Sequence, residues 1–77
     1  MYYLRYAEDS MECPDICGYR TLRSAVQHYR WTAEELHKYG QECEATVHKA
    51  RVRDEMAEYP DYALWLGPRG GVRVERL

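Results

Sequence analysis

The C-terminal stretch 61–77 constrains the fold more than any other part of the chain, because it predicts a β-hairpin with a defined register. Apolar and polar residues alternate with period two on both sides of residues 67–71, whose sequence Gly-Pro-Arg-Gly-Gly is rich in turn formers. The predicted cross-strand pairs are Leu66 with Val72, Leu64 with Val74, Tyr62 with Arg76, Ala63 with Glu75 and Trp65 with Arg73. The aliphatic side chains then share one face of the hairpin, and the indole of Trp65 shares the other with Arg73. This pattern predicts architecture and does not specify an activity.

The upstream half predicts one strand, one long loop and one helix. Residues 1–7 alternate like a half-buried strand, and residues 8–19 show neither a helical nor a strand period. Those residues therefore predict a loop of about a dozen residues. Residues 22–39 carry apolar side chains at helical spacing, with Thr21 suited to cap the N-terminus and Gly40 suited to follow the C-terminus.

A capping-box sequence, Thr-Ala-Glu-Glu at 32–35, opens the alternative that the helix breaks near Trp31 into two shorter helices. The apolar stripe continues through this point, which favours a single helix.

The middle of the chain is the hardest to interpret. Residues 41–50 fit either a strand or a helix, and the β-branched pair Thr46-Val47 favours the strand. Charged residues dominate 51–59, where a short helical turn is expected around 54–58 before Pro60 stops it.

Together these elements predict an α+β fold in a single domain, residues 1–77, with the order β-α-β-β-β. The sheet is antiparallel or mixed, one main helix packs on one of its faces, and the C-terminal hairpin completes it. Because one helix covers only one face, the other face should remain open to solvent or to a partner. The residues predicted on that open face are Tyr3, Arg5, Trp65 and Arg73.

Composition narrows the class of protein. No stretch approaches the about 18 apolar residues of a membrane span, and residues 1–6 lack the apolar region of a signal peptide, so the expected compartment is the cytoplasm. A net charge of −2 argues against general nucleic-acid binding, which needs a basic surplus. The charges are nevertheless polarised, with acidic residues in 8–15 and arginines in 69–76.

The three cysteines are Cys13, Cys17 and Cys43, an odd number that favours reduced thiols over disulfides. Zinc binding by these three with one histidine (His28, His37 or His48) is the alternative, but three residues separate Cys13 from Cys17, whereas zinc knuckles usually have two. We therefore predict neither a metal nor a cofactor, and the three histidines are treated as surface residues without a role. Nothing in the sequence has the spacing of a catalytic motif, so no enzyme is predicted.

Two surfaces are candidates for binding a protein partner. One is the acidic loop, which would meet a basic partner. The other is the pair of Trp65 and Arg73, because tryptophan and arginine are favoured anchors of interfaces. The predicted partner-binding residues are Glu8, Asp9, Glu12, Asp15, Tyr3, Arg5, Trp65, Arg69 and Arg73. A homodimer would use the same residues.

The alternative is a nucleic-acid track in which Trp65 stacks on bases. Its arginines would be Arg51, Arg53, Arg69, Arg73 and Arg76.

The segments 17–26 (CGYRTLRSAV) and 60–74 (PDYALWLGPRGGVRV) resemble short proteins carried by bacterial phages and mobile elements. In size, cytosolic character and lack of catalytic motifs, the whole chain is similar to anti-CRISPR proteins. That resemblance implies a stoichiometric inhibitor that docks on a CRISPR effector complex or its nuclease. It transfers no functional residue, because anti-CRISPR proteins share no common fold or motif. The alternatives are a small regulator that binds nucleic acid through the hairpin arginines, and a structural or dimerisation module.

Overall fold

The computed structural model describes residues 1–6 and 16–77. Its elements in chain order are β1 (Tyr2–Tyr6), β2 (Cys17–Tyr19), α1 (Leu22–Lys38), β3 (Ala45–Lys49), a short 3-10 helix (Arg53–Glu55), β4 (Tyr62–Leu66) and β5 (Val72–Arg76). The strands form one antiparallel sheet in the order β2-β1-β3-β4-β5. The predicted α+β class, with one main helix and a C-terminal hairpin, is confirmed.

Helix α1 is continuous through Trp31, so the alternative of two shorter helices is wrong. The hydroxyl of Thr21 accepts a hydrogen bond from the amide of Ser24 at 3.1 Å, as an N-cap residue does. At the other end Gly40 has φ 72°, and the amide of Gln41 donates to the Leu36 carbonyl at 3.0 Å. This is the Schellman arrangement, in which a glycine in the left-handed conformation ends the helix.

The hairpin forms with the predicted register, in which Leu64 pairs with Val74 and Trp65 pairs with Arg73. Inside the turn Gly70 has φ 86°, a conformation that glycine adopts without steric cost. The amide of Gly67 donates to the Gly71 carbonyl at 2.7 Å and closes the loop.

Within the ambiguous segment 41–50, residues 45–49 form a strand, β3, which pairs with β1 on one side and with β4 on the other. One turn of 3-10 helix, Arg53–Glu55, overlaps the start of the helical turn expected around 54–58 and ends before the expected range does.

The core lies between α1 and one face of the sheet. Its buried residues are Leu4, Ala25, Tyr29, Ala33, Cys43, Ala45, Val47 and Leu64. Burying apolar side chains of the size of Leu64 contributes about 1.5–3 kcal/mol each, so this layer supplies most of the stabilisation. No α-helix within residues 1–6 and 16–77 packs on the opposite sheet face.

Strand β2 was predicted as part of a loop, and that prediction is wrong for Cys17–Tyr19. The strand has three residues with a glycine in the middle, which is too short for a period-two pattern to appear. Its stability comes from pairing with β1, where Gly18 lies opposite Tyr3. A Cβ on Gly18 would lie only 2.9 Å from Tyr3 Cε1, so the tyrosine ring lies directly over the glycine. Tyr3 is consequently 8% exposed, and the expectation that it remains open to solvent is wrong.

Candidate partner-binding surface

The sheet face opposite α1, which we call the outer face, brings together residues that are far apart in sequence. Strand register places Arg5 beside Thr46, Thr46 beside Ala63, and Ala63 beside Glu75 in one row across four strands. A second row holds Trp65 and Arg73, and a third holds Tyr3 and His48. The predicted residues Arg5, Trp65 and Arg73 therefore do share this face, together with Glu75.

Part of the outer face is covered by the segment 51–60 that joins β3 to β4. His48 is only 2% exposed, so the interpretation of His48 as a surface residue is wrong. A shallow cavity of about 230 Å³ lies at the margin of this cover, lined by Arg5, Tyr6, Thr46, His48, Glu58 and Pro60. Among the described residues, the open part of the outer face thus lies on β4 and β5.

His48 fastens the covering segment to the sheet. Its Nδ1 lies 2.9 Å from the Ala57 carbonyl oxygen, and its Nε2 lies 3.1 Å from the Thr46 hydroxyl. Because a carbonyl oxygen only accepts, Nδ1 carries the proton and donates to Ala57. In the neutral ring Nε2 then accepts from Thr46, so both ring nitrogens are satisfied in a buried position.

Trp65 is half-buried rather than fully open. It forms one wall of a cleft of about 320 Å³ between the end of α1 and the hairpin, whose other walls include His37, Cys43, Glu44 and Pro68. Arg73 is exposed, and its Nε would lie 3.2 Å from a Cβ placed on Gly67, so its side chain runs across that glycine. The indole is therefore partly used in packing, and the open charge on this side is supplied by Arg73.

Three of the other arginines do not join this surface. Arg69 is exposed in the hairpin turn, and the strand alternation places Arg76 on the helix side of the sheet, opposite Tyr62. Arg51 lies outside the sheet and contacts Glu55 at 2.6 Å. The arginines proposed for a nucleic-acid track are thus divided among separate sides of the molecule. The acidic residues Glu8, Asp9, Glu12 and Asp15 lie outside the described residues.

A different aromatic surface, which the sequence interpretation missed, lies along α1. The rings of Tyr19 and His28 have centroids 5.5 Å apart, and those of His28 and Trp31 are 6.3 Å apart. Trp31 is 66% exposed, far more than Trp65. We call Tyr19, His28 and Trp31 the Trp31 surface.

The Trp31 surface is anchored to the core. The hydroxyl of Tyr6 lies 3.4 Å from His28 Nδ1. The Tyr6 ring stacks on the buried ring of Tyr29, with the two ring centroids 6.2 Å apart. Its members stand on a helix and a paired strand, so a partner would meet a preformed arrangement. Such preorganisation lowers the entropic cost of binding.

A signal for this surface was present in the sequence. The core residues of α1 are Ala25, Tyr29 and Ala33, and position 31 is rotated about 200° from position 29 on a helix. An indole on the polar side of an amphipathic helix stays largely exposed within its own domain, as Trp31 does.

The thiols divide between the core and the sheet edge. Cys43 is buried and Cys17 is half-buried, and both are present as thiols, whereas Cys13 lies outside the described residues. Within residues 1–6 and 16–77, no three histidine, cysteine or acidic side chains are grouped so as to hold a metal ion.

One buried titratable group adjoins the cleft beside Trp65. The Tyr29 hydroxyl donates a 2.6 Å hydrogen bond to the Cys43 carbonyl. Burial raises the pKa of the Tyr29 phenol well above its usual value, and the neighbouring Cys43 and Glu44 raise that pKa further. Tyr29 is therefore a structural donor that stays neutral throughout the physiological range.

In the described ranges no helix is both long enough and apolar enough to cross a bilayer. In comparisons with known proteins, no protein-family model, no curated protein and no solved structure matches the chain.

Proposed function

We propose that this protein is a small protein–protein interaction module, and that the Trp31 surface supplies its principal contact. The observation that supports this is the exposure of the Trp31 indole on a rigid helix. Leaving that much apolar ring area in water is unfavourable, and tryptophan is the residue most enriched among the side chains that dominate binding energy.

The surroundings of Trp31 suit a protein partner. Charged side chains flank the indole, including Glu34, which pairs with Arg30 at 3.7 Å, and Glu35, which pairs with Lys38 at 3.4 Å. An aromatic anchor within a polar rim is the usual organisation of an interface. The open part of the outer face, with Trp65 and Arg73 on β4 and β5 and Arg5 at the margin of the covering segment, remains the second predicted contact area.

The specific form that we propose is a stoichiometric inhibitor of the anti-CRISPR kind, whose partner is a CRISPR effector complex or its nuclease. Its support is the resemblance in size and character described above, together with a surface suited to docking. Inhibition by docking requires an anchored contact and no catalytic group, and the Trp31 surface provides such a contact.

The test is inhibition of DNA cleavage by a panel of guide-loaded CRISPR effector complexes. We expect inhibition of one of them to saturate near one protein per complex. Trp31→Ala should weaken binding to that complex tenfold or more, equivalent to about 1.4 kcal/mol. The matched control is Tyr59→Ala, which removes another strongly exposed ring from a different side and should leave binding unchanged.

Other outcomes would reject the proposal. If no complex is inhibited and the protein binds labelled DNA, with an affinity that falls steeply between about 50 and 200 mM salt, the regulator is the correct assignment. If a complex is inhibited but Trp31→Ala and Tyr59→Ala behave alike, the Trp31 surface is not the contact, and the outer-face variants Arg5→Glu and Arg73→Glu become decisive.

A further inference from the structure

In the part of the chain that the structure describes, strand β5 is an open edge of the sheet. It is the last strand in the order β2-β1-β3-β4-β5, and its residues from Arg73 to Arg76 are all exposed. The amide of Leu77 donates to the Asp61 carbonyl at 2.9 Å, and the amide of Gly67 donates to the Gly71 carbonyl at 2.7 Å.

Hydrogen-bonded pairs alternate along an antiparallel ladder. The backbone groups of Arg73 and Glu75 therefore form hydrogen bonds to β4, as those of Gly71 and Leu77 do with residues 67 and 61. The backbone N–H and C=O groups of Val72, Val74 and Arg76 then point away from β4, toward the open edge.

This edge carries few of the features that normally prevent strand addition. Proline, a bulge or an inward-pointing charge usually protects an exposed edge. Here β5 is a regular run of five residues without proline, and Val74 is 44% exposed on the side that faces α1. Its protective features are its charges, Arg73 and Glu75 on the outer face and Arg76 on the helix side, so the charge pattern decides which strand can pair with it. The other edge, β2, has three residues and contains Gly18.

Self-pairing of β5 is possible in a small number of registers. In an antiparallel pair the backbone groups of Val72, Val74 and Arg76 must bond to the same set in the second copy. The registers that allow this place Arg73 opposite Arg73, Glu75 opposite Glu75, or Arg73 opposite Glu75. Like charges directly opposite each other destabilise a strand pair, and opposite charges stabilise it. The first two registers are thus disfavoured, and only the third brings opposite charges together.

The favoured register also uses the whole strand. It centres a twofold axis on Val74, so that Val74 meets its own copy and Val72 meets Arg76 of the second copy. The backbone groups of Val72, Val74 and Arg76 then all have hydrogen-bond partners in the second copy. Each of the other two registers leaves one of these three residues unpaired. Charge and hydrogen bonding select the same arrangement.

We propose that β5 is the interface of a homodimer, in which two copies pair antiparallel about Val74 and their sheets become continuous. Arg73 of each copy faces Glu75 of the other on the outer face, and the two Val74 side chains meet on the helix side. The twofold arrangement uses the β5 edge of each copy, so pairing through β5 ends at two copies. The Trp31 surface is not used, and the dimer presents two of them.

The register makes one contact unfavourable, and that contact is diagnostic. Arg76 of the second copy comes beside Val72, next to a groove of about 280 Å³ whose walls are Arg23, Val26, Gln27, Arg30 and Val72. Arg76 therefore approaches two arginines of the other copy. Reversing its charge should tighten the dimer, which no register-independent association predicts.

Sedimentation velocity across about 1–500 μM protein tests the proposal. We expect a concentration-dependent monomer–dimer equilibrium. Arg73→Glu and Glu75→Arg should each raise the dimer dissociation constant about tenfold, because each places like charges together at two symmetric positions. The double variant Arg73→Glu/Glu75→Arg should restore dimerisation, and Arg76→Glu should lower the dissociation constant several-fold.

Circular dichroism and thermal unfolding confirm that each variant is folded, and all three substituted side chains are exposed. A monomer at every concentration, or a double variant as weak as the single ones, overturns the proposal. The test is independent of the proposed function, because loss of the dimer leaves binding by Trp31 measurable and loss of Trp31 leaves the dimer intact.

Discussion

Gly18 illustrates how a single residue determines the N-terminal edge of the sheet. The Tyr3 ring lies over its Cα, and a Cβ there would approach Tyr3 Cε1 to 2.9 Å and Met1 Cε to 3.0 Å. The ring has little room to move, because Tyr3 is buried. The glycine is thus required for close approach rather than for an unusual backbone angle.

Gly18→Ala should destabilise the fold by about 1–3 kcal/mol, the usual cost of adding a methyl group to a well-packed site. Urea unfolding followed by circular dichroism measures the change. The control is Gly71→Ala, where an added Cβ has no neighbour within 4 Å and should cost little. Equal effects of the two substitutions would show that the ring over Gly18 adapts.

At the scale of elements, a helix or strand could be predicted from the sequence when the residues that determine it lie close together in the chain. The hairpin register followed from the alternation of Leu64 and Leu66 with the turn glycines, all within one short stretch. The ends of α1 followed from Thr21 and Gly40 for the same reason. Strand β2 could not be predicted, because what makes it a strand is the distant Tyr3 and not its own residues.

Prediction of the candidate site on the outer face was limited in the same way, to what nearby residues determine. Alternation correctly placed Trp65 and Arg73 opposite each other, but it could not show that the segment 51–60 folds back over His48. That cover depends on a contact between residues nine positions apart, His48 and Ala57, which carries no periodic signal. Trp31 was missed because the pattern of α1 was used to find its buried face.

The segment 51–60 should depend on His48 for its attachment. His48→Ala removes the donor to the Ala57 carbonyl, so amide hydrogen exchange at residues 55–60 should accelerate about tenfold or more, corresponding to about 1–2 kcal/mol for a buried hydrogen bond. Mass-spectrometric hydrogen exchange on peptides 50–61 and 22–38 distinguishes this local opening from global destabilisation.

Arg51→Ala is the matched control for the segment, because it breaks the ion pair with Glu55 without touching the sheet. Exposed pairs of this kind contribute little, and exchange should be unchanged. Uniform acceleration in both peptides of His48→Ala would mean that the histidine supports the whole sheet rather than the covering segment.

At the scale of the whole molecule, the surfaces have separate tasks. The helix side of the sheet is used for the core, part of the outer face is covered by the segment around Ala57, and β5 leaves a backbone edge open among the described strands. The most exposed indole lies on α1, away from that edge and away from the outer face. A single small domain therefore has room both to pair with itself and to present an aromatic anchor to another protein.

Global stability should fall in alkali through Tyr29, whose hydroxyl is buried and bonded to the Cys43 carbonyl. Because the folded state raises the pKa of this phenol above the usual 10.0, folding favours the protonated form. Its contribution is fully present below about pH 10, the pKa in the unfolded chain, and is lost as the pH rises toward the higher folded-state pKa.

Tyr29→Phe separates the two roles of this hydroxyl. At pH 7 the variant should be less stable by about 1–2 kcal/mol, because the buried Cys43 carbonyl loses its donor. Above pH 10 the variant should lose stability less steeply than the parent, so that the two curves of unfolding free energy converge. Urea titrations from pH 7 to about pH 11.5 measure both effects, with Tyr59→Phe as the control because its ring is 81% exposed. Curves that stay parallel across this range would show that Tyr29 ionises as readily in the folded chain as in the unfolded one, and the buried phenol would then have no part in alkaline unfolding.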